Sequence, residues 1–263
     1  MSFLSIAWQH FAHYPLVVLY NRDEFRDRPS EPLQRWQTRP VIYGGKDPKS
    51  QGTWLAISET GKFAALTDFH HAHPTPHEVT QSRGKLLMDY LKSDLDPDSF
   101  LRRTIHERQK THPCNLILGD RHSLYYSCSV SRAEESLSPG IHSISDYFMD
   151  TPMPKCQYMK KALGKRLQDE RLSEKEREEL FELLARPMRF PEQDLPHRGF
   201  DPSYESEMSP LFIHQEHYGT LSSALITVDN AGHVCFSERN YQPGLPHKTH
   251  TLEFDIQTPL AGD

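Results

Sequence analysis

With 263 residues, 36% of them hydrophobic and 10% aromatic, the chain can bury a real core in one large domain or two small ones, which excludes a disordered polypeptide. A formal net charge of −6 lacks the basic excess of a nucleic-acid binder, and no apolar run approaches the roughly 20 residues that span a bilayer. Residues 1–16 show no basic start, long apolar stretch or cleavage site, and the four cysteines, Cys114, Cys128, Cys156 and Cys235, form no C-x-x-C pair. Reduced, mostly buried thiols in a cytoplasmic protein without stable membrane insertion are expected.

From the amino terminus, two short apolar runs, residues 3–8 and 16–20, flank a polar connection through His13 and Pro15 and read as a hairpin. The second run delivers Asn21-Arg22-Asp23-Glu24, four strongly polar residues in a row. Clustered charges are costly to bury unless they pair or bind something, so this strand end is a candidate site; the alternative is a surface turn with a salt bridge. Residues 26–40 carry Pro29, Pro32 and Pro40 and are expected to be extended or looped. Trp36 either anchors that loop or lines a pocket. Gly44-Gly45 reads as a turn and, without a following helix and Lys-Ser/Thr signature, not as a phosphate loop. Residues 53–58 and 62–67, joined through Glu59-Thr60-Gly61, predict a second hairpin in which Trp54 belongs to the core.

The spacing of Leu86, Leu87, Tyr90 and Leu91 predicts a helix over residues 82–92, with another over 99–110. Residues 114–118 and 124–130 read as strands around Gly119-Asp120-Arg121. Residues 155–186 are helical and charged, breaking at Ser173, which forms a capping box with Glu176. The charge run over 174–179 is a solvated helix face. Residues 186–210 form a proline-rich loop of the kind that borders a site. A third hairpin, residues 221–229 and 233–240, turns at Asn230-Ala231-Gly232, and residues 249–256 add an edge strand. With no repeat and no linker, the expectation is one α+β domain, residues 1–263, of two antiparallel sheets with helical layers outside.

The string YNRDEFRDRPSEPLQRW, followed by Gly52-Thr53-Trp54-Leu55, Gly61-Lys62-Phe63-Ala64-Ala65-Leu66-Thr67, Asn115-Leu116-Ile117-Leu118-Gly119-Asp120, Thr151-Pro152, Tyr218-Gly219-Thr220 and Ser237-Glu238-Arg239, resembles the NRDE family, the transport-and-Golgi-organisation-2 type. The resemblance covers most of the chain and implies the four-layer αββα fold of N-terminal-nucleophile hydrolases. In that fold the first residue of the mature chain attacks an acyl carbon, and its own α-amine is the base. A free α-amine titrates near 7.7–8.0, roughly, so it is partly neutral at physiological pH. Family members begin Met-Cys, whereas this chain begins Met1-Ser2. Removal of Met1 makes Ser2 the nucleophile, with a hydroxyl that ionises less readily than a thiol.

More remotely, the chain is similar to the bile salt hydrolase and penicillin V acylase branch. By that likeness Asp23 orients the amine and Arg22 tunes the nucleophile. Three further positions depart: Leu-Thr-Asn becomes Leu66-Thr67-Asp68, Leu-Ser-Asn becomes Ile144-Ser145-Asp146, and Tyr-Gly-Thr-Arg becomes Tyr218-Gly219-Thr220-Leu221. An Asn can donate to an oxyanion and an ionised Asp cannot, so either Asp68 or Asp146 is protonated or pairs with Arg22, or the site is kept for binding only. The resemblance thus implies catalytic positions Ser2, Arg22, Asp23, Asp68 and Asp146. Asn21, Glu24, Trp36, Leu221 and Ser222 are the expected ligand-binding positions.

The leading expectation is an amide or thioester hydrolase acting on a small acyl compound, with no cofactor, no metal and no nucleic acid. A second reading, which the resemblance also admits, is a carrier for a hydrophobic ligand such as haem or an acyl-CoA or lipid. His70-His71-Ala72-His73 with His77 could supply imidazoles to such a ligand, although no second cluster at ligand spacing completes a metal site. A third reading makes Arg22, Asp23, Glu24, Arg26, Asp27 and Arg28 a structural ion-pair network.

Overall fold

In the computed structural model, residues 2–70, 79–131, 134–166, 171–242 and 244–257 are described. Strand β1 (Ser2–Trp8) pairs antiparallel with β2 (Leu16–Phe25), from Trp8 opposite Leu16 to Ser2 opposite Arg22. Side chains of a strand alternate between faces. Leu4, Ile6, Val18 and Tyr20 therefore enter one apolar cluster, between the sheets, while Phe3, Ala7, Val17 and Leu19 enter another beneath helices.

Residues 26–40 are in part extended, as expected. They contain β3 (Glu31–Trp36), which pairs with β4 (Ile42–Lys46). Gly44 and Gly45 lie inside β4 rather than at a turn. Glycine is required there because a Cβ on Gly44 would stand 2.6 Å from Leu55 O, and one on Gly45 would stand 2.3 Å from the Trp54 ring. The second hairpin is β5 (Leu55–Ser58) and β6 (Phe63–Asp68), turning at Gly61 with φ +85°.

Helix α1 (Arg83–Lys92) is capped by Ser82, whose side chain accepts from Lys85 N. The helical pattern over 99–110 divides at Thr104 into α2 (Pro97–Arg103) and α3 (Ile105–Arg108). The Thr104 hydroxyl donates to Phe100 O at 2.8 Å, a local bond that bends or ends a helix. Strands β7 (Cys114–Gly119) and β8 (Leu124–Cys128) follow, then β9 (Glu134–Ser136) and β10 (Gly140–Ile144), two short strands without an apolar run. Helix α4 (Pro154–Arg166) and helix α5 (Glu174–Leu184) come next, the latter opened by the expected Ser173–Glu176 capping box. The proline-rich loop carries a short helix, α6 (Pro202–Glu207). Strands β11 (Tyr218–Val228), β12 (His233–Asn240) and β13 (Lys248–Asp255) finish the described chain.

The strands form a six-stranded sheet, β10-β1-β2-β11-β12-β13, and a seven-stranded sheet, β3-β4-β5-β6-β7-β8-β9, each antiparallel. Helices α4 and α5 cover the outer face of the first, and α1 and α2 that of the second, giving four αββα layers. All four cysteines are buried and free. No helix among the described residues is long and apolar enough to cross a membrane.

Candidate active site

Strand β2 does not stop at Tyr20 but carries the polar tetrapeptide to Phe25, and alternation divides its four side chains. Asn21 faces the helical layer, where its Nδ2 donates to Leu184 O and Leu211 O at 2.9 and 2.7 Å. Its Oδ1 accepts from Ser223 Oγ at 2.6 Å, so this buried amide is committed to holding β2 against β11 and α5. Arg22 faces the other way, between the sheets. Its guanidinium lies 3.8 Å from the centroid of the Trp54 ring and donates to Ser30 Oγ.

Ser2 occupies the first position of β1, 4% exposed and directly opposite Arg22, with its hydroxyl beside the Tyr20 phenol. Tyr20 in turn donates to Leu66 O at 2.8 Å, bridging the sheets beneath Ser2. The same end of the sandwich is closed by Thr67, which donates to Ser145 O at 3.0 Å, and by His70 N, which donates to Asp146 O at 2.8 Å.

Three carboxylates converge here with different electrostatics. Asp23 is 3% exposed and accepts from Thr220 Oγ1 at 2.6 Å. Burial pushes it up to about 6, against the opposing pull of the amino-terminal charge, Thr220 and Lys155. Asp68, at the end of β6, accepts from Arg83 Nη1. Burial alone would raise it, but the amino-terminal charge, Arg83 and His70 outweigh that and hold it well below the usual carboxylate range. Asp146 lies two residues beyond Ile144, which is opposite Leu4, and pairs with Arg198 Nη1 at 2.8 Å. Its burial is likewise outweighed, by Arg198, Lys155 and His70. Both aspartates thus pair with arginines that favour the ionised form, Asp68 with Arg83 and Asp146 with Arg198.

The cationic partners come from three places. Arg83 opens α1, seated by a glycine contact: a Cβ on Gly52 would stand 2.5 Å from Gly84 C, so the loop before β5 touches the helix backbone there. Lys155 lies in the first turn of α4 and donates to Met208 O at 3.0 Å. Arg198 projects from the proline-rich loop and also pairs with Glu205 at 2.5 Å, all three side chains of this triad being less than a tenth exposed. Two cations of the 22–28 segment reach outside it: Arg28 pairs with Asp47 at 2.5 Å and Arg26 donates to Gln215 O at 2.8 Å.

The remaining expected positions are dispersed. Leu221 is the residue at which the β2–β11 register shifts, between Thr220 and Ser222, and Ser222 is opposite Arg22. Glu24 is half-buried and accepts from the backbone N of Phe25 at 2.9 Å. Trp36 donates its Nε1 to Gly44 O at 2.9 Å, which pins β3 to β4 rather than pointing to Ser2. Of the histidine-rich segment, His70 stands 3.8 Å from Asp146, whereas His71, His73 and His77 lie outside the described residues. Among the described residues no group of three His, Cys, Asp or Glu is placed to hold a metal ion.

Sequence reasoning missed Arg83, Lys155 and Arg198. For the first two a signal existed. Each is a basic residue in a helical first turn that contains no acid, where the helix dipole disfavours positive charge unless carboxylates lie nearby. Arg198 carried no such mark.

The sequence model described as Transport and Golgi organisation 2 matches residues 1–243. The chain belongs to the Transport and Golgi organisation 2 family. It is 30% identical to the Transport and Golgi organization protein 2 homolog of Bos taurus, covering 93% of this chain and 94% of that one. The homolog of Homo sapiens is also 30% identical over the same shares, and the Drosophila melanogaster protein is 26% identical, covering 93% of each. Among solved structures, two variants of the conjugated bile acid hydrolase from Clostridium perfringens are similar. One has a TM-score of 0.54 at 8% identity, covering 99% of both chains. The other has 0.51 at 9% identity, covering 97% of this chain and 92% of that one. At such identities the likeness shows the fold, which is that of N-terminal-nucleophile hydrolases.

Proposed function

We propose that this member of the family cleaves an amide or thioester of a small acyl compound, with Ser2 as N-terminal nucleophile. The observation that carries this reading is the placement of Ser2. A small hydroxyl residue begins an interior strand, buried and opposite Arg22, with Asp23 the next residue along β2, in the fold of a protein whose own description is a bile acid hydrolase. Once Met1 is removed, the Ser2 α-amine takes the hydroxyl proton as Oγ bonds the acyl carbon. The C–N or C–S bond then breaks and the amine or thiol leaves with that proton. Water attacks the acyl-serine next, releasing the carboxylic acid and restoring Ser2. Asp23, one residue beyond the Arg22 that is opposite Ser2, orients the amine.

The test is the intact mass of the natively expressed protein, followed by Ser2→Ala. Loss of one methionine, and loss of hydrolysis of simple amides and thioesters in Ser2→Ala, support the reading. A retained Met1 leaves no α-amine on Ser2 and overturns it.

One observation favours a second reading, a non-catalytic carrier for a hydrophobic ligand such as haem or an acyl-CoA. Asp68 and Asp146 are held ionised by arginines, and ionised carboxylates repel an oxyanion instead of donating to it. Stoichiometric binding of haem or an acyl-CoA by Ser2→Ala, with no turnover by the parent, would select this reading.

A further inference from the structure

We propose that Lys155 is a further catalytic residue, whose ammonium receives the negative charge that builds on the ligand's acyl oxygen when Ser2 attacks. This rests on the acyl-transfer reading above. Sheet order places β1 between β10 and β2. Asp146 lies beyond the β10 end, level with Ser2, and Asp23 lies one residue past Arg22, which is opposite Ser2. Helix α4 runs back along β10 toward the start of β1: Gly164 faces Ile141, opposite Ala7, and Lys160 pairs with Asp150, which accepts from Ser143 N, opposite Ser5, so the first turn with Lys155 reaches the level of Ser2.

The donors of Lys155 are underused. An ammonium has three N–H groups, and Nζ makes one hydrogen bond, to Met208 O at 3.0 Å, with no carboxylate among the described residues within ion-pair distance. The residue is only 4% exposed, so water does not readily supply the other two bonds. Idle donors on a buried cation are expensive, and a group that develops negative charge beside Ser2 is the acceptor they fit. The first turn of α4 adds to the effect: Pro154 opens the helix, no acidic residue follows within that turn, and the dipole contributes further positive potential. Asp68 and Asp146, each paired with an arginine that favours the ionised form, are poor donors for this work. Lys155 therefore supplies what the two aspartates removed from the pattern implied by the sequence.

The experiment uses the full, mature chain and p-nitrophenyl acetate. Acetyl transfer forms the Ser2 Oγ–carbon bond as the bond to p-nitrophenolate breaks, with the hydroxyl proton going to the Ser2 α-amine. The rate is read from p-nitrophenolate release and the site from the mass of the amino-terminal peptide. Lys155→Gln keeps an N–H for Met208 O, so it satisfies a merely structural role while removing the charge. We expect Lys155→Gln to slow acetylation about 100- to 1000-fold, and Lys155→Arg to stay within about tenfold of the parent. Parental rates in Lys155→Gln overturn the proposal while leaving the acyl-transfer reading intact. Should Lys155→Gln fail to fold, Lys155→Arg decides alone, and a hundredfold loss in that variant, roughly the cost of a missing donor, overturns it. No acetylation of Ser2 in the parent removes both together.

Discussion

At its turn end the β1–β2 hairpin pairs Trp8 with Leu16 and Ile6 with Val18, all apolar and buried. At its open end it pairs Ser2 with Arg22, and Asp23, Asp146, Arg198 and Lys155 gather around them, buried almost as deeply. The turn end is stabilised by removing hydrocarbon from water, which needs no partner and has no directional requirement. The open end must satisfy every charge individually, because a buried ion loses several kcal/mol of hydration that only good pairing offsets. An apolar replacement would be simpler to fold, so the charged end marks a place where stability was not the quantity being maximised.

That contrast is most exposed at Arg198. Arg198→Ala leaves Asp146 and Glu205 buried without their cation, and we expect a loss of about 3–5 kcal/mol in denaturant unfolding. Replacing Arg198 with Met, Asp146 with Leu and Glu205 with Gln together should restore the parental stability or exceed it by about 1–4 kcal/mol. A triple variant as unstable as Arg198→Ala would show that the triad contributes packing rather than balanced charge.

Asp23 sharpens the comparison through pH. Its carboxyl is raised from 3.8 to about 6 in the folded chain, so between those values the folded state binds more protons than the unfolded one. Stability from this group is therefore complete below pH 3.8 and is lost as pH rises through about 6. Asp23→Asn, which can still accept from Thr220, should be about 3 kcal/mol more stable than the parent at pH 8 and equal to it near pH 4. An equal gain at both pH values would point to packing instead of ionisation. At the turn end the counterpart is small: Ile6→Val should cost about 0.5–1.5 kcal/mol, independent of pH.

The same division explains what could be read from the sequence. Hairpins whose strands alternate or run apolar, and helices with a capping box or a leucine stripe, were legible, because local pattern and final burial agree there. β3 and β4 were not, since prolines mark the first as loop and the glycine pair of the second, a turn signal elsewhere, is here demanded by Leu55 O and the Trp54 ring. β9 and β10 are short and polar, and only pairing with β8 and β1 makes them strands. At the candidate site, the tetrapeptide itself was visible but not its division between two faces, which follows from β2 continuing to Phe25. Arg83 and Arg198 neutralise aspartates 15 and 52 positions away in the chain, and no spacing rule links them.

The smallest expected effect concerns charges outside the site. Asp150 accepts from Ser143 N at 2.9 Å and pairs with His142 at 2.7 Å and Lys160 at 2.6 Å, but its side chain is 36% exposed. Burial would raise it, yet the hydrogen bonds from His142, Lys160 and Ser143 bring it down to about 2. The bond to Asp150 chiefly raises His142. The carboxylate's contribution is present above its ordinary value near 4 and fades as pH falls toward about 2. The imidazole's is full below roughly 6.5 and is lost as pH rises through its higher folded value. Asp150→Asn should therefore cost most between about pH 4 and 6.5 and less at pH 9, where the imidazole's share is lost. Because solvent screens this pair, we expect no more than about 1 kcal/mol even at the maximum. A cost approaching that of Arg198→Ala would mean that exposure, rather than the presence of a reacting group, is the wrong variable by which to separate the two ends of the molecule.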